Sequence, residues 1–150
     1  MPSPTIRALA ICLFTHDGKI LVNGAHDPVK GLSFCRPLGG GIEFGETGEQ
    51  AVVREIREEI GAEVTNLRYL GTLENIFTYL GKPGHELVRV YDGQLADSSL
   101  YDRAFITGVE SDGQPFRAEW RTLESFGPEL PLFPHGLIDL LATKEAGTAV

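Results

Sequence analysis

The sequence has little of what several common protein classes require. It contains only two cysteines, Cys12 and Cys35, both in apolar surroundings and neither in a CxxC pair or a His/Cys cluster. This scarcity argues against a disulfide scaffold or a zinc site and favours buried thiols in a reducing compartment. The longest N-terminal apolar run, residues 8–14, is too short to span a membrane, and the opening MPSPTIR lacks the regions of a signal peptide. We therefore expect a cytoplasmic protein.

Basic residues are also scarce, since 13 Lys and Arg stand against 21 Asp and Glu, for a formal net charge of -8. This balance leaves no basic face for duplex DNA or for an anionic membrane. A small phosphorylated ligand is still compatible, because a bound metal can carry the compensating charge. The 150 residues are 42% hydrophobic and contain no repeat or linker. They predict one well-cored domain over 1–150, with a frayed tail from about 145.

The order of the predicted elements indicates the fold class. Strand patterns lie at residues 5–14, 19–25, 32–37, 64–80, 85–96 and 116–123, and the fourth segment contains either one strand or two strands divided at Asn66. Helical patterns run from Thr47 or Gly48 to Ile60 and from His135 to Lys144. Residues 97–116 are polar and turn-rich, including Ser111-Asp112-Gly113, and predict a loop. Strands, a helix, more strands and a second helix predict an α/β or α+β domain around a curved sheet.

The segment from Gly39 to Ala62 carries the strongest chemical signal. Five of the ten residues from 39 to 48 are glycine, which suits a backbone that approaches another group closely. In the helix that follows, Glu55, Glu58 and Glu59 have i, i+3 and i+4 spacing and come together on one side. Their mutual repulsion predicts a compensating cation, and ligands that are all oxygen favour Mg²⁺ or Mn²⁺.

This segment resembles the Nudix box, the signature of the Nudix hydrolase superfamily. Eight of the nine defining positions match in type: Gly40, Glu46, Arg54, Glu55, Ile56, Glu58, Glu59 and Gly61. Ala62 departs from the usual larger aliphatic residue, and Leu38 stands where many members have proline. The resemblance implies a Nudix-type α/β/α sandwich with a mixed, curved β-sheet. It also implies Mg²⁺- or Mn²⁺-dependent hydrolysis of a diphosphate linkage between a nucleoside and another moiety X.

The resemblance also implies roles for individual residues. The backbone carbonyl of Gly39 and the side chains of Glu55, Glu58 and Glu59 are the expected metal ligands, with Glu58 and Glu59 acting in catalysis. Arg54 is expected to orient a helix carboxylate, so we count it with the catalytic residues. Glu46 is expected to be a structural acid where the loop meets the helix. On the residues alone, an acidic helix face is usually solvated, with an Arg54–Glu58 ion pair.

The general base has two candidates. Glu119 and Trp120 resemble the acid–tryptophan pair of the mutator-type nucleoside triphosphate pyrophosphatases, so Glu119 is a candidate base or additional metal ligand. This likeness ranks a nucleoside triphosphate first among the possible substrates. Glu43, two residues after the glycine triplet, is a second acid near the same loop. If Glu119 and Glu43 have no role in catalysis, both are ordinary exposed residues.

Three further residues are candidates for substrate binding. Arg36 suits a phosphate or a ribose, Tyr79 suits stacking on a base, and Glu86 suits a place along the cleft. If these residues have only structural roles, Arg36 forms a surface ion pair, Tyr79 packs in the core and Glu86 lies at a strand edge. The moiety X is expected to be recognised by residues 24–36 and 97–117, because loops carry specificity. Nudix relatives are often dimers, so a homodimer is an open possibility.

Two other function classes remain open. One is a non-catalytic Nudix-like module that binds a nucleotide or a nucleotide sugar; retention of the box acids argues against it. The other is an isomerase acting on a prenyl diphosphate, which would need a cysteine such as Cys35 in the pocket.

Overall fold

The computed structural model describes residues 4–110 and 112–148. The strands within these ranges are β1 (Arg7–Leu13), β2 (Thr15–His16), β3 (Lys19–Asp27), β4 (Leu32–Gly41), β5 (Val64–Tyr79), β6 (Lys82–Leu95), β7 (Phe105–Val109) and β8 (Pro115–Thr122). The α-helices are α1 (Gly48–Ile60) and α2 (Leu137–Thr148), and 3-10 turns lie at Ser98–Asp102 and Leu123–Ser125. Neither described helix is long and apolar enough to cross a membrane.

The strands form one mixed, curved and open sheet in the order β5-β6-β1-β4-β3-β8-β7, with β2 paired to β3. β1 runs parallel to β6, and the other neighbouring pairs in this order are antiparallel. The parallel pairing of β1 with β6 puts the first strand in the middle of the sheet, and its residues from Ala10 to Leu13 are buried on both faces. Its sequence is accordingly a nearly continuous apolar run rather than an alternating one.

One helix covers each face of the sheet, because successive residues of β1 point to opposite sides. A buried cluster joins one face to α1; its members from β1 and α1 are Ala10, Cys12, Ala51, Val52 and Ile56. A second cluster joins the other face to α2; its members from β1 and α2 are Ile11, Leu13, Leu137 and Leu141. These two layers confirm the predicted α/β/α sandwich. The two cysteines, Cys12 and Cys35, are buried in these layers, as predicted, and no disulfide joins them.

Helix α1 begins and ends as the sequence predicts. The Thr47 side chain accepts a hydrogen bond from the Gln50 N–H, and the Thr47 N–H donates to the Gln50 side chain, which completes a capping box. Gly61 ends the helix in the left-handed conformation, with φ 66°. The helix axis is therefore fixed at both ends, which places its acidic residues reproducibly over β4.

The structure corrects several predicted boundaries. The glycines at 39–41 are the end of β4 rather than a loop, and Gly39, with φ +145°, lies so close to β1 that a Cβ would overlap Ala10 and Ile11. The predicted loop at 97–116 contains β7. β5 is one long strand that passes Asn66 through an irregularity, because a β-bulge absorbs the break.

The C-terminal helix continues to Thr148, four residues beyond its predicted end. Residues 149 and 150 of the predicted tail lie outside the described residues, as do residues 1–3 of the opening MPSPTIR and the Ser111 of the predicted turn.

Candidate active site

An open cleft of about 870 Å³ lies where the end of β4 meets α1. Its walls come from β1, β3, β4, α1, β5, β6 and the segment before α2. The residues predicted for the site that line it are Arg36, Gly39, Glu43, Glu55, Glu59, Tyr79 and Glu86. The cleft therefore brings together seven residues that lie up to 50 positions apart in the chain.

Glu59 is the buried acid that helix α1 contributes to the cleft. It is 9% exposed, and its Oε1 atom is buried without a hydrogen-bond partner among the described residues. Glu55, one turn earlier in α1, lies beside it against Gly40. A Cβ on Gly40 would come within 2.5–2.6 Å of the Glu55 carboxyl group, so this position requires glycine. The glycine-rich strand end thus provides the space in which two carboxylates face one opening.

The electrostatics of Glu59 follow from this placement. Burial is the main cause that raises its pKa to about 8, and the negative charges of Glu55 and Glu110 raise it further. The Gly39 N–H and the Arg36 guanidinium offset part of the increase. A buried carboxyl group in which one oxygen has no hydrogen-bond partner among the described residues is an incomplete arrangement. A cation between Glu55 and Glu59 would complete it.

Arg54 organises the acids around the opening. Its Nε and Nη2 atoms donate to the two oxygens of Glu46 at 2.8 and 2.9 Å, and Nη2 also donates to the Gly41 carbonyl at 2.8 Å. Its Nη1 atom donates to Glu55 at 2.9 Å and to Glu58 at 3.3 Å. Arg54 thus pairs with a helix carboxylate, as predicted. The Arg54–Glu58 ion pair, which was expected if the acidic helix face were merely solvated, is also present.

Glu46 is the structural partner in this network. The hydrogen bonds from Arg54, together with one from the Glu43 N–H, lower its pKa to about 2. Both oxygens of Glu46 are occupied by protein donors. The side chain consequently holds Arg54, and through it Glu55, in place.

The donor set fits a hard divalent cation that retains water. Within residues 4–110 and 112–148, no group of three His, Cys, Asp or Glu side chains is arranged to hold a metal by itself. Glu55 and Glu59 supply two carboxylates, and Mg²⁺ is typically bound by one or two carboxylates plus waters and substrate phosphates. Glu58 is not brought into this set: its side chain is 57% exposed, bonds to Arg54 and does not line the cleft. Its assignment as a third ligand stays a prediction.

The structure places Glu119 away from the cleft. In β8 it lies opposite Val22 of β3, whose side chain belongs to the cluster on the α2 face, so Glu119 also points to that face. Its carboxylate bonds to Arg121 at 3.1 Å and is 40% exposed. Trp120 points to the α1 face, where it stacks on Tyr101. The acid–tryptophan pair therefore does not contribute an acid to the cleft.

Glu110 is the cleft acid that sequence reasoning missed. It follows β7, lines the cleft, accepts a hydrogen bond from Asn23 at 3.2 Å, and acts electrostatically on Glu59. It stands in the segment that the sequence predicted to be a variable loop. A lone acid in a turn-rich segment carries no signal of its own; recognising β7 would have placed Glu110 at a strand end.

The three predicted substrate-binding residues line the same cleft. Arg36 is exposed on β4, and Tyr79 ends β5 with 37% exposure. Glu86 of β6 accepts a hydrogen bond from Asn75 at 3.3 Å and lies 3.7 Å from Arg7. Glu86 is thus already paired within the protein, whereas the cation of Arg36 faces the opening.

Cys35 does not belong to the site. Its thiol is 2% exposed in the cluster on the α2 face, and burial is the main cause that raises its pKa. An accessible nucleophilic thiol is therefore absent at this position, which removes the basis for the isomerase alternative.

Comparisons with known proteins bear on the family of this chain. A family model described as NUDIX domain matches residues 4–139. The NAD-capped RNA hydrolase NudC of Pseudomonas aeruginosa is 30% identical over 149 residues, covering 97% of this chain and 48% of that protein. NudC of Mycobacterium tuberculosis is 38% identical over 111 residues, covering 67% and 34%. This chain therefore spans about half of the first relative and about a third of the second.

Among solved structures, a NUDIX hydrolase from Nitrosomonas europaea superposes with a TM-score of 0.65 at 17% identity, covering 95% of this chain and 90% of that one. At this identity, the likeness establishes the fold.

Proposed function

This chain belongs to the Nudix hydrolase family, and from that premise we propose that it hydrolyses a diphosphate linkage between a nucleoside and another moiety X with Mg²⁺ or Mn²⁺. The observation that carries the proposal is the buried, unsatisfied Oε1 of Glu59 beside Glu55, both facing one cleft. Glu55 is held by Arg54, whereas Glu59 keeps one oxygen without a protein partner among the described residues, and a divalent ion between the two carboxylates would complete the arrangement. The retained box acids distinguish this site from a surface on which the acids only form ion pairs.

The chemical difficulty of the reaction is charge. A diphosphate is polyanionic, so attack by water on phosphorus is opposed by repulsion. A divalent ion held by Glu55, Glu59 and the Gly39 carbonyl would screen that charge, polarise the phosphoryl oxygen and acidify water. Arg54 keeps Glu55 directed at the opening, because its other donors are fixed on Glu46 and Gly41. This support is comparable to the outer hydrogen bonds that orient metal ligands in other enzymes.

Proton transfer from the attacking water needs an acceptor in the cleft. Glu110 takes the place that the sequence suggested for Glu119, because Glu110 lines the cleft and Glu119 faces the other side of the sheet. Asn23 holds the Glu110 carboxylate at 3.2 Å. We assign Glu110 as the third acid of the site, acting as a base or as an additional ligand.

The preference for a nucleoside triphosphate loses its support, since it rests on the Glu119–Trp120 resemblance. The curated relatives are named NAD-capped RNA hydrolases, and NAD itself consists of two nucleotides joined by a diphosphate. A dinucleotide-like substrate class is therefore the stronger candidate for this chain. The surplus of acidic residues makes a small molecule a better substrate than a long polyanion. The predicted homodimer and cytoplasmic location stay predictions.

A panel assay tests the proposal. NAD, ADP-ribose, diadenosine tetraphosphate, ATP and isopentenyl diphosphate are incubated with the protein and Mg²⁺ or Mn²⁺. Phosphate from the first three is read after a coupled phosphatase, whereas phosphate or pyrophosphate released from ATP and isopentenyl diphosphate is read without a phosphatase, since that enzyme attacks their terminal phosphates directly. We expect turnover of at least one nucleotide, abolished by EDTA and by Glu59→Gln. Tight ligand binding in calorimetry, without hydrolysis of any compound in either metal, would instead favour the non-catalytic binding module.

A further inference from the structure

Helix α1 approaches the sheet closely at three glycines. At Gly40 the missing side chain makes room for the Glu55 carboxyl group. The other two close contacts lie near the ends of the helix, at Gly48, which is its first residue, and at Glu59, which is its last but one. These two end contacts set the distance between α1 and the sheet.

The first end contact joins Gly48 to Tyr91 of β6. A Cβ atom on Gly48 would overlap the Tyr91 hydroxyl group and would lie 3.0–3.1 Å from the ring atoms Cζ and Cε2. Tyr91 is 2% exposed and belongs to the buried cluster between the sheet and α1. The helix therefore rests on this hydroxyl group, and it can do so only because residue 48 has no side chain.

Arg89, two residues earlier in β6, restrains the Tyr91 hydroxyl group. Its Nε atom donates a hydrogen bond to the Tyr91 oxygen at 3.1 Å. The Arg89 guanidinium is itself held over the Tyr69 ring, 4.3 Å from the centroid, since a cation is attracted to the face of a tyrosine ring. The hydroxyl group cannot swing aside without breaking the bond from Arg89, so it is a fixed support for the start of α1.

The second end contact joins Glu59 to Gly108 of β7. A Cβ atom on Gly108 would overlap the backbone carbonyl oxygen of Glu59 and would come within 2.8 Å of the Phe116 ring. A helix carbonyl cannot rotate away as a flexible side chain can, so a side chain at position 108 would displace the last turn of α1. The backbone of the buried acid thus rests directly on β7.

We propose that Tyr91 and Gly108 are positioning residues for the metal site, because they hold α1 at the distance from the sheet at which Glu55 and Glu59 meet one cation. Metal ligands need to be held within about 0.5 Å of their productive positions. Neither Tyr91 nor Gly108 lines the cleft, so each acts only through the helix. This inference rests on the proposed function, since it takes Glu55 and Glu59 to be metal ligands.

Helix propensity and the Tyr91 contact give opposite expectations for Gly48→Ala. Without the contact, alanine would favour the helix, because glycine loses more backbone entropy than any other residue on folding. Weaker metal binding by Gly48→Ala would therefore report the contact with the sheet. In Tyr91→Phe the hydroxyl group is absent, and the ring atoms that remain 3.0–3.1 Å from the new Cβ need to move by only a few tenths of an ångström. The double variant should consequently accommodate the alanine.

Mn²⁺ binding in this double-mutant cycle tests the role of Tyr91. Electron paramagnetic resonance of free Mn²⁺ gives the Kd for wild type, Gly48→Ala, Tyr91→Phe and the double variant. Gly127→Ala is the control, because a Cβ atom there meets nothing within 4 Å. We expect Gly48→Ala to bind about fivefold more weakly than wild type, and the other three variants to stay within about threefold. Unchanged affinity in Gly48→Ala, or a double variant as weak as Gly48→Ala, would overturn the role of Tyr91.

Gly108→Ala should have a larger effect, because the overlapping atom belongs to Glu59 itself. We expect its Kd for Mn²⁺ to rise at least about tenfold, and the addition of Tyr91→Phe should not restore it. Amide hydrogen exchange of α1 in EDTA is a second readout that needs no metal. Exchange should be faster in Gly48→Ala and Gly108→Ala than in wild type and Gly127→Ala. Wild-type affinity or wild-type exchange in Gly108→Ala would overturn the role of Gly108.

The positioning roles and the proposed function can fail separately. Mn²⁺ binding that follows the expected order, without hydrolysis of any compound in the panel, would contradict the proposed function and support the positioning roles. Hydrolysis by wild type, with the same Mn²⁺ affinity in every variant, would support the proposed function and overturn the positioning roles.

Discussion

Glu46 and Glu59 belong to the same 24-residue stretch and have opposite surroundings. Glu46 receives two hydrogen bonds from Arg54 and one from the Glu43 N–H, and its pKa falls to about 2. Glu59 is buried beside Glu55 and Glu110, keeps one oxygen without a partner, and its pKa rises to about 8. The paired acid stabilises the architecture, while the other is left for a ligand. Residue type and spacing do not distinguish the two acids. They differ because the Arg54 guanidinium bonds to Glu46 and does not bond to Glu59.

The largest expected effect comes from removing the unpaired acid. Glu59→Gln should lower metal-dependent turnover by about 100- to 1,000-fold, because a metal clamp fails. The thermal unfolding midpoint in EDTA should not fall, since a neutral amide relieves the repulsion with Glu55. Glu49→Gln, an exposed acid on the same helix, is the matched control and should keep wild-type turnover. A Glu59→Gln enzyme with unchanged turnover would remove Glu59 from the site.

The next effect contrasts two acids that lie on opposite faces of the sheet. Glu110→Gln should lower turnover about 10- to 100-fold, because an acid within the cleft is lost. Glu119→Gln should stay within about threefold of wild type, since its carboxylate bonds to Arg121 outside the cleft. Steady-state assays with the substrate found in the panel measure both. The opposite ranking would restore the assignment of Glu119 that was made from the sequence.

A smaller effect on turnover is expected when Glu46, the acid paired with Arg54, is changed. In Glu46→Gln, Arg54 loses its two-oxygen partner and no longer holds Glu55 firmly, so turnover should fall about tenfold. Unlike Glu59→Gln, this variant should also have a lower thermal unfolding midpoint in EDTA. Circular dichroism melts of the two variants side by side measure the contrast, and identical melts would show that the two acids are equivalent.

The smallest effect is the pH dependence of the stability that Glu46, the acid paired with Arg54, contributes. Because the hydrogen bonds to Arg54 depress the folded-state pKa of Glu46, its contribution to stability is complete above the ordinary value of 4.5 and is lost as the pH falls toward about 2. The difference in unfolding midpoint between wild type and Glu46→Gln should therefore be constant near pH 6 and narrow below pH 4.5. A difference that widens on acidification would contradict the pairing.

The sequence predicts well what depends on short spacing. Helix α1, its caps and the proximity of Glu55 to Glu59 all follow from a period of 3.6 residues and local capping chemistry. The pairing of Arg54 with Glu58 is of the same kind. Its two-oxygen pairing with Glu46, eight residues earlier, depends instead on how the strand end folds back onto the helix.

Features that depend on strand register or on distant segments are not predictable in this way. Glu119 stands one residue from the position that faces α1, and a shift of one residue in a strand reverses the face. Glu110 and Phe133 come from segments whose neighbours are set by tertiary packing alone. The turn residues Gly81-Lys82-Pro83-Gly84 predict a hairpin. Nothing local predicts that Leu80, at the tip of that hairpin, donates a hydrogen bond to Asp27.

Binding of Mn²⁺ tests the central claim most directly, because it measures the metal site without assuming a substrate. Electron paramagnetic resonance of free Mn²⁺ is followed during titration of wild type, Glu59→Gln and the control Glu49→Gln. We expect wild type and Glu49→Gln to bind Mn²⁺ with equal affinity and Glu59→Gln to bind at least about tenfold more weakly. Equal Mn²⁺ affinity for all three proteins would contradict the claim.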